Sequence, residues 1–455
     1  MSISLNKPLD LDQLTPAEAL MLHDLQGNIL KIHGRSHATH VFLQFDAENA
    51  AEARAFIRSL AAELTSARQQ LDAAVRFKAS NGRESGGAFV TLCLSAAGYR
   101  ALGCEPAMPT GHTAFAAGMK RRAAELKDDP HQKDWDDFFQ DDVHAMLMIA
   151  HDTRRKVSKA RNALAVRIPK SVRVVGEITG KKMTRLVAGK ERTIEHFGYA
   201  DGISQPILLQ HDVVKALADH LIEPANPQPG LDVALIACPG GLPGISFGSF
   251  VVFRKLEQNV RGFKEREEAL TNELNLVGDL AGAWLVGRFE DGTPVVTSDT
   301  ALATPVNDFD YASDPHGNKC PFHAHVRKVN PRNNDTVHLV RRGITYGKRL
   351  DDPTDEEIGE LTPSAGVGLL FISYQASIED QFEKMQDWAN DPDFPHTNAG
   401  HDPIIGQMKP GDMTLHFPPA YGSAGPKHKV TYASFVHLKG GEYFFAPCLS
   451  FLRTL

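Results

Sequence analysis

Apolar residues recur along the chain with two different spacings. Period-two or continuous apolar runs mark strands at 39–46, at GGAFVTLCLS (86–95) and at HAMLMIAHD (144–152). Between the first two lies NAAEARAFIRSLAAELTSARQQ (50–71), whose apolar positions fall at helical spacing with an alanine-rich filling. Near the amino end, Thr15 precedes Pro16 and stands three residues before Glu18, the signature of a capped helix start. Residues 224–248 hold five prolines and five glycines and read as a connection. Beyond it the alternation resumes. GSFVVFRKLEQ (248–258) reads as a strand, 258–276 as a charged amphipathic helix, and GVGLLFISYQ (366–375) as another strand. IEDQFEKMQDWA (378–389) reads as a helix, and TYASFVHLKGGEYFFAPCLSFL supplies closing strands. The pattern is an alternation of strands and helices, compatible with two α+β halves, 1–223 and 249–455, on either side of the 224–248 connection, though the alternation does not by itself select that division.

Composition narrows the classes. A chain of 455 residues with 42% hydrophobic content has ample material for a large core, which excludes a disordered or collagen-like protein. Lys and Arg number 49 against 56 Asp and Glu, a net charge of −7. That balance, with no long basic stretch, speaks against general nucleic-acid or anionic-membrane binding. No uninterrupted apolar stretch approaches the roughly 18 residues of a membrane span. The first twenty residues lack the basic-then-apolar order of a secretory signal, so a cytoplasmic location is expected. The five cysteines, Cys93, Cys104, Cys238, Cys320 and Cys448, are scattered without a CxxC pair and read as thiols rather than as a disulfide frame or zinc site.

Two stretches concentrate chemistry. Residues 307–347 bring His323 and His325 together with Arg327, Lys328, Arg332, Arg341 and Arg342. On a strand the two histidines would share one face and could bind a metal, whereas in a loop the run would be a solvated basic segment. EHFGYADGISQP (195–206) sets Asp201 between glycines, which suits either a carboxylate held close to a reacting group or an ordinary Asp-Gly turn.

Together these stretches resemble one family. GYADGISQP is similar to the Gly-x-x-Asp-Gly signature of the dye-decolorizing peroxidases, CPFHAHVRKVNPR to their haem-ligand segment, and RRGITYG to their distal-arginine segment. LQGNILKIHGR, WLVGRFEDGTPV and LLFISYQASIEDQFEKMQ also look like stretches of this family, in the expected order from about residue 25 to 390. The wording AHVRKVNPR is most similar to the longer branches.

The resemblance implies two ferredoxin-like halves with antiparallel sheets flanked by helices, in a dimeric α/β-barrel type of fold. It implies haem b held by His325, with His323 two residues earlier as the competing imidazole. Glu379, at the start of the IEDQF helix, is the candidate carboxylate on the other ring nitrogen. Asp201 matches the distal acid–base residue, and Arg341 the distal arginine, with Arg342 as its neighbour. An aspartate there stays ionised in acid, where a histidine would be protonated. Arg327 and Arg332 are candidates for pairing with the haem propionates. Leu369 and Phe371 match apolar positions of the distal pocket, on one face of a strand. Trp284, Trp388, Tyr346 and Tyr374 are candidate relays carrying electrons from the surface.

The implied reaction is reduction of hydrogen peroxide coupled to one-electron oxidation of organic reductants such as dyes and phenolics, with the formation of homo-oligomers left open. Two other classes compete with it. A haem-handling protein would need neither Asp201 nor Arg341, and a non-haem metalloenzyme built on His323 and His325 would lack an evident third ligand.

Overall fold

Eight strands close into one antiparallel barrel. The first half supplies β1 (His37–Phe45), β2 (Phe89–Ser95), β3 (Ala145–His151) and β4 (Val172–Lys181). Across the sheet they run β4-β1-β3-β2, with Val41 of β1 opposite Leu147 on one side and Glu177 on the other. The second half supplies β5 (Phe247–Gln258), β6 (Ile344–Tyr346), β7 (Gly368–Gln375) and β8 (Val436–Ala446). These run β8-β5-β7-β6, so each half has the ferredoxin-like order of fourth, first, third and second strand. The halves join twice, where Phe444 pairs with Ser95 and where Tyr346 pairs with Gly180. Closure removes both sheet edges. The structure, a computed structural model, describes residues 3–126, 132–222, 229–333, 336–352, 358–407, 411 and 413–455.

The continuous apolar runs of β2 and β3 follow from this closure, since one face of each strand fills the barrel and the other is covered by helices. Phe42 of β1 meets Phe253 of β5 edge-on with ring centres 5.0 Å apart, so the two halves share one core. Helix Ala50–Ala61 buries Ala53, Phe56, Ile57 and Leu60, and helix Val260–Glu273 buries Val260, Phe263 and Leu270. The predicted start at Thr15 forms as a full capping box, its hydroxyl accepting from Glu18 N at 3.2 Å while Thr15 N donates to the Glu18 carboxylate at 2.8 Å.

Three expectations change. The helix read over 50–71 is two, Ala50–Ala61 and Ala67–Ala79. Thr65 interrupts it by exchanging hydrogen bonds with Val90, and Ser66 caps a fresh helix with Gln69. The segment 378–389 opens as a wide π-helical turn over Ile378–Glu383 before Lys384–Asn390 becomes α-helical. The carboxyl end carries the strand His428–Tyr432, paired with Met413–Phe417, then β8, but its last residues form a short helix, Leu449–Thr454, instead of a further strand. Of the Pro/Gly-rich connection, residues 224–228 lie outside the described residues. The remainder is folded, with a tight turn at Leu231–Val233 and Ile236–Ala237 paired to the start of β5. No helix among the described residues is long and apolar enough to cross a membrane.

Candidate active site

Two neighbouring barrel strands floor a cavity. In their antiparallel register Phe371 of β7 stands opposite Arg254 of β5, and Leu369 opposite Leu256; all four line the cavity. Strand alternation gives this face its composition, because Leu370 and Ile372 point the other way and are buried. Leu369 and Phe371 thus share one strand face and line the cavity. Phe382, Met385 and Gln386 from the π-turn and its following helix close one side, and Val326 and Val329 another.

The loop carrying Asp201 follows the hairpin Met183–Val187 and Lys190–Ile194. Glu195 organises it from inside: its carboxylate accepts from Phe197 N at 2.9 Å, from Tyr199 N at 3.0 Å, and from the side chain of Gln258. Burial pushes this carboxyl up to about 7, against those hydrogen bonds. Gly198 has φ +100°, and a side chain there would press on the Glu290 carboxylate at 3.0 Å. Asp201 itself is tied by its N–H to Thr193 O at 2.9 Å, and its Oδ1 lies 3.2 Å from Nη1 of Arg341.

Arg341 is delivered by a two-residue strand, Val340–Arg341, that pairs with Ser373 and Tyr374 of β7. Its Nη2 donates to Ser204 O at 2.9 Å and its backbone N–H to Gln205 Oε1 at 3.0 Å, so the arginine is locked onto the Asp201 loop. Both side chains are about a third exposed and line the cavity. Arg342 points away from it: its guanidinium donates to the carbonyls of Asn28 and Ile29 and is buried.

His325 opens a short helix, His325–Val329, and lines the same cavity. The 323–325 segment is therefore not an extended strand, and the two histidines part company. His323 is fully buried against Phe417, ring centres 4.7 Å apart, and burial holds its imidazole well below the usual range. His325 Nδ1 instead meets Asp402 Oδ2 at 2.8 Å. Asp402 has no exposed side-chain surface, and its other oxygen accepts from the N–H groups of Ile404 and Ile405. With Nδ1 donating its hydrogen to this carboxylate, the lone pair of the ring lies on Nε2.

Asp402 overturns the expectation for Glu379. That carboxylate accepts from Ala114 N at 2.7 Å and Thr113 Oγ1 at 3.0 Å, away from the cavity that Phe382 of the same π-turn lines. Arg327 and Arg332 are also corrected: neither lines the cavity. Arg327 forms a buried ion pair with Asp314 at 2.7 Å and donates to Cys320 O. Arg332 donates to the carbonyls of Asn307 and Phe309, both at 2.8 Å, with its guanidinium 3.7 Å from the Phe309 ring centre. Trp284, Trp388, Tyr346 and Tyr374 are all buried, so none presents a surface terminus for electron relay. Among the described residues no group of three or more His, Cys, Asp or Glu is disposed to hold a metal ion, which leaves the His323–His325 metal reading without a donor set.

The residues missed from sequence are Asp402, Glu195 and Arg254. Glu195 stood inside the EHFGYADG run, three positions before Gly198, and its turn-capping bonds to Phe197 and Tyr199 are short-range enough to have been read.

Comparison with known proteins settles the family. The DyP dimeric alpha+beta barrel domain matches residues 24–183, and the C-terminal region of Dyp-type peroxidases matches residues 224–398. The multifunctional dye peroxidase DyP2 of Amycolatopsis sp. is 40% identical over the full length of both chains. The chain belongs to the DyP-type peroxidases. The solved structure of DyP2 superposes with a TM-score of 0.91 over all of both chains. That of a DyP-type peroxidase from Anabaena sp. gives 0.89 at 36% identity, covering 98% of this chain and 97% of the other. A dye-decolorizing peroxidase of Mycetinis scorodonius, msp1, is 29% identical over 96% of this chain and 88% of its own. In this DyP-type peroxidase the "dimeric" barrel is closed by two halves of one chain.

DyP-type peroxidases are haem b enzymes, and the cavity suits that cofactor. An imidazole whose Nδ1 is engaged by a buried carboxylate offers Nε2 as a basic ligand, the walls are largely apolar, and Arg254 and Arg341 supply cations.

Proposed function

We propose that His325 would hold the haem iron, with Asp201 as the acid–base residue and Arg341 as the charge-stabilising residue of this peroxidase. One observation carries the reading: the Asp201–Arg341 contact of 3.2 Å lies in the wall of the cavity that His325 also lines. Haem b, when bound, supplies the redox chemistry by which peroxide is reduced and organic donors are oxidised. His325 holds the cofactor through Nε2, and Asp402 fixes the ring's tautomer and orientation. The Asp201 carboxylate takes the proton from one peroxide oxygen and returns it to the departing one, a transfer worth about 10²–10⁴-fold. The Arg341 guanidinium, permanently charged, stabilises the negative charge that develops on the departing oxygen. Its bond to Ser204 O keeps it there while Asp201 changes protonation.

The partners in this reading are hydrogen peroxide and small organic reductants, dyes and phenolics among them. Five free thiols suit a reducing, cytoplasmic compartment. The division into 1–223, a 224–248 connection and 249–455 is supported by the repeated strand order on either side.

The test is an absorption spectrum of haem-reconstituted protein before and after one equivalent of hydrogen peroxide, then after a dye. The expected result is a Soret band that shifts with peroxide and returns with the dye. His325→Ala should abolish the band, whereas Asp201→Ala and Arg341→Ala should keep it and respond slowly. A Soret band unmoved by peroxide in the wild type would point to haem handling instead.

A further inference from the structure

Lys328 is fully buried, one helical turn beyond His325. Its Nζ donates to three backbone carbonyls, those of Asp391 at 2.5 Å, Phe394, and Gly400 at 2.8 Å. Those bonds account for all three donors of an ammonium. All three acceptors belong to one segment, which leads within two residues to Asp402. The same segment is drawn together by Gly400 N on Pro392 O and by Asp402 N on Ala389 O, both at 2.9 Å. Gly400 has φ +93°, and a side chain there would strike Thr414 O at 2.8 Å, so the chain passes this point with little latitude.

At its other end Lys328 belongs to the helix of His325, with its own N–H on Ala324 O at 2.8 Å. The ammonium therefore spans the two pieces of backbone whose separation sets the His325–Asp402 hydrogen bond. Burying a cation costs free energy that an apolar side chain of similar length would avoid. A tetrahedral ammonium suits three converging carbonyls, whereas the planar fork of an arginine does not.

We propose that Lys328 is a positioning residue that sets the Asp402 carboxylate against His325 and so tunes the basicity of that imidazole toward the cofactor. The proposal rests on the reading of His325 as the iron ligand. A carboxylate on Nδ1 gives the ring imidazolate character, which strengthens its bond to iron and favours the ferric state. The signature of a displaced Asp402 is then a lower iron–histidine stretching frequency in the ferrous holoenzyme and a higher reduction potential.

The experiment compares wild-type holoenzyme with Lys328→Arg, Lys328→Met, Asp402→Asn and the double variants. The measurements are resonance Raman spectra, redox titrations, and thermal melts of the haem-free proteins. The expected result is that Lys328→Arg moves the stretching band and the potential in the direction of Asp402→Asn, and adds nothing in the Asp402→Asn background. Lys328→Met, which keeps the length of the stem, should move the band likewise. A Lys328→Arg variant with lowered melting temperature but unmoved band overturns the proposal, as does an equal shift with and without Asp402. A potential that falls in Lys328→Met while Lys328→Arg leaves it unchanged would assign the lysine a field effect alone and also overturns it. So does failure of both lysine variants to fold while Asp402→Asn folds. An iron–histidine band that survives His325→Ala would instead overturn the reading of His325, which keeps the two failures apart.

Discussion

His325 Nδ1 stands 2.8 Å from Asp402 Oδ2, across 77 positions of sequence, and Asp402 is wholly buried. The carboxylate divides between two tasks: one oxygen closes the turn at Ile404 and Ile405, and the other is given to the ring. Asp402→Asn keeps the shape and removes the charge. The variant should fold and hold haem more weakly, with affinity or peroxide reactivity lowered by about 10–100-fold. Haem transfer to an apo-globin acceptor measures the first and stopped-flow mixing with peroxide the second; wild-type values in both would deny Asp402 its part.

Asp201 and Arg341 act on the same proton and the same charge, so their substitutions should not add. Asp201→Asn should slow the reaction with peroxide by about 10²–10⁴-fold. Arg341→Leu should slow it by about 10²–10³-fold. Because Arg341 is held to the Asp201 loop through Ser204 O and Gln205 Oε1, the double variant should fall little below the worse single one. Stopped-flow rates for the four proteins close the cycle. Purely additive losses would mean that the two side chains serve separate steps.

The strands and the helix–strand alternation were legible because they depend on local periodicity, whereas Leu369 and Phe371 read by themselves as ordinary core and were assigned to a pocket only through resemblance. Asp201, Arg341 and His325 were legible only through resemblance, since Asp-Gly turns and basic runs are common on surfaces. What the sequence concealed lies in long-range pairings. Glu379 looked like the histidine's partner because it opens a segment near the site, but the π-turn gives it to Ala114, 265 positions away. Asp402 sits before a proline in a stretch that reads as an ordinary turn, and half of its carboxylate does serve that turn. Arg327 and Arg332 were expected on the propionates because a guanidinium fork suits a carboxylate, yet both are spent inside the protein on Asp314 and on carbonyls of Asn307 and Phe309.

Arg327 gives a sharp test of that last correction. Its ion pair with Asp314 is buried, with side-chain exposures of 5% and 3%, so removing the arginine leaves an uncompensated carboxylate in the interior. Arg327→Leu should destabilise the protein by about 3–5 kcal/mol. The loss should be equal with and without haem, because the side chain does not line the cavity. Thermal or denaturant unfolding of both forms checks this. A larger loss in the haem-loaded form would restore Arg327 as a propionate partner.

Glu195 predicts a pH dependence of stability near the site. Burial pushes its carboxyl from an ordinary 4.5 up to about 7, so the folded state prefers it neutral. The stability that follows from this preference is fully present below the unfolded value and is lost as pH rises through the folded one. Glu195→Gln cannot ionise and keeps one of the two oxygens that accept from Phe197 N and Tyr199 N, so its loss of the other bond adds an offset that does not vary with pH. The stability of the wild type relative to this variant should therefore fall between about pH 4.5 and 8, by about 3 kcal/mol, and level off above. Urea unfolding of the two haem-free proteins across that range measures the difference. A difference that stays flat, or that grows in favour of the wild type as pH rises, would mean that Glu195 is already ionised in the fold and that the turn before Asp201 is held by a charge.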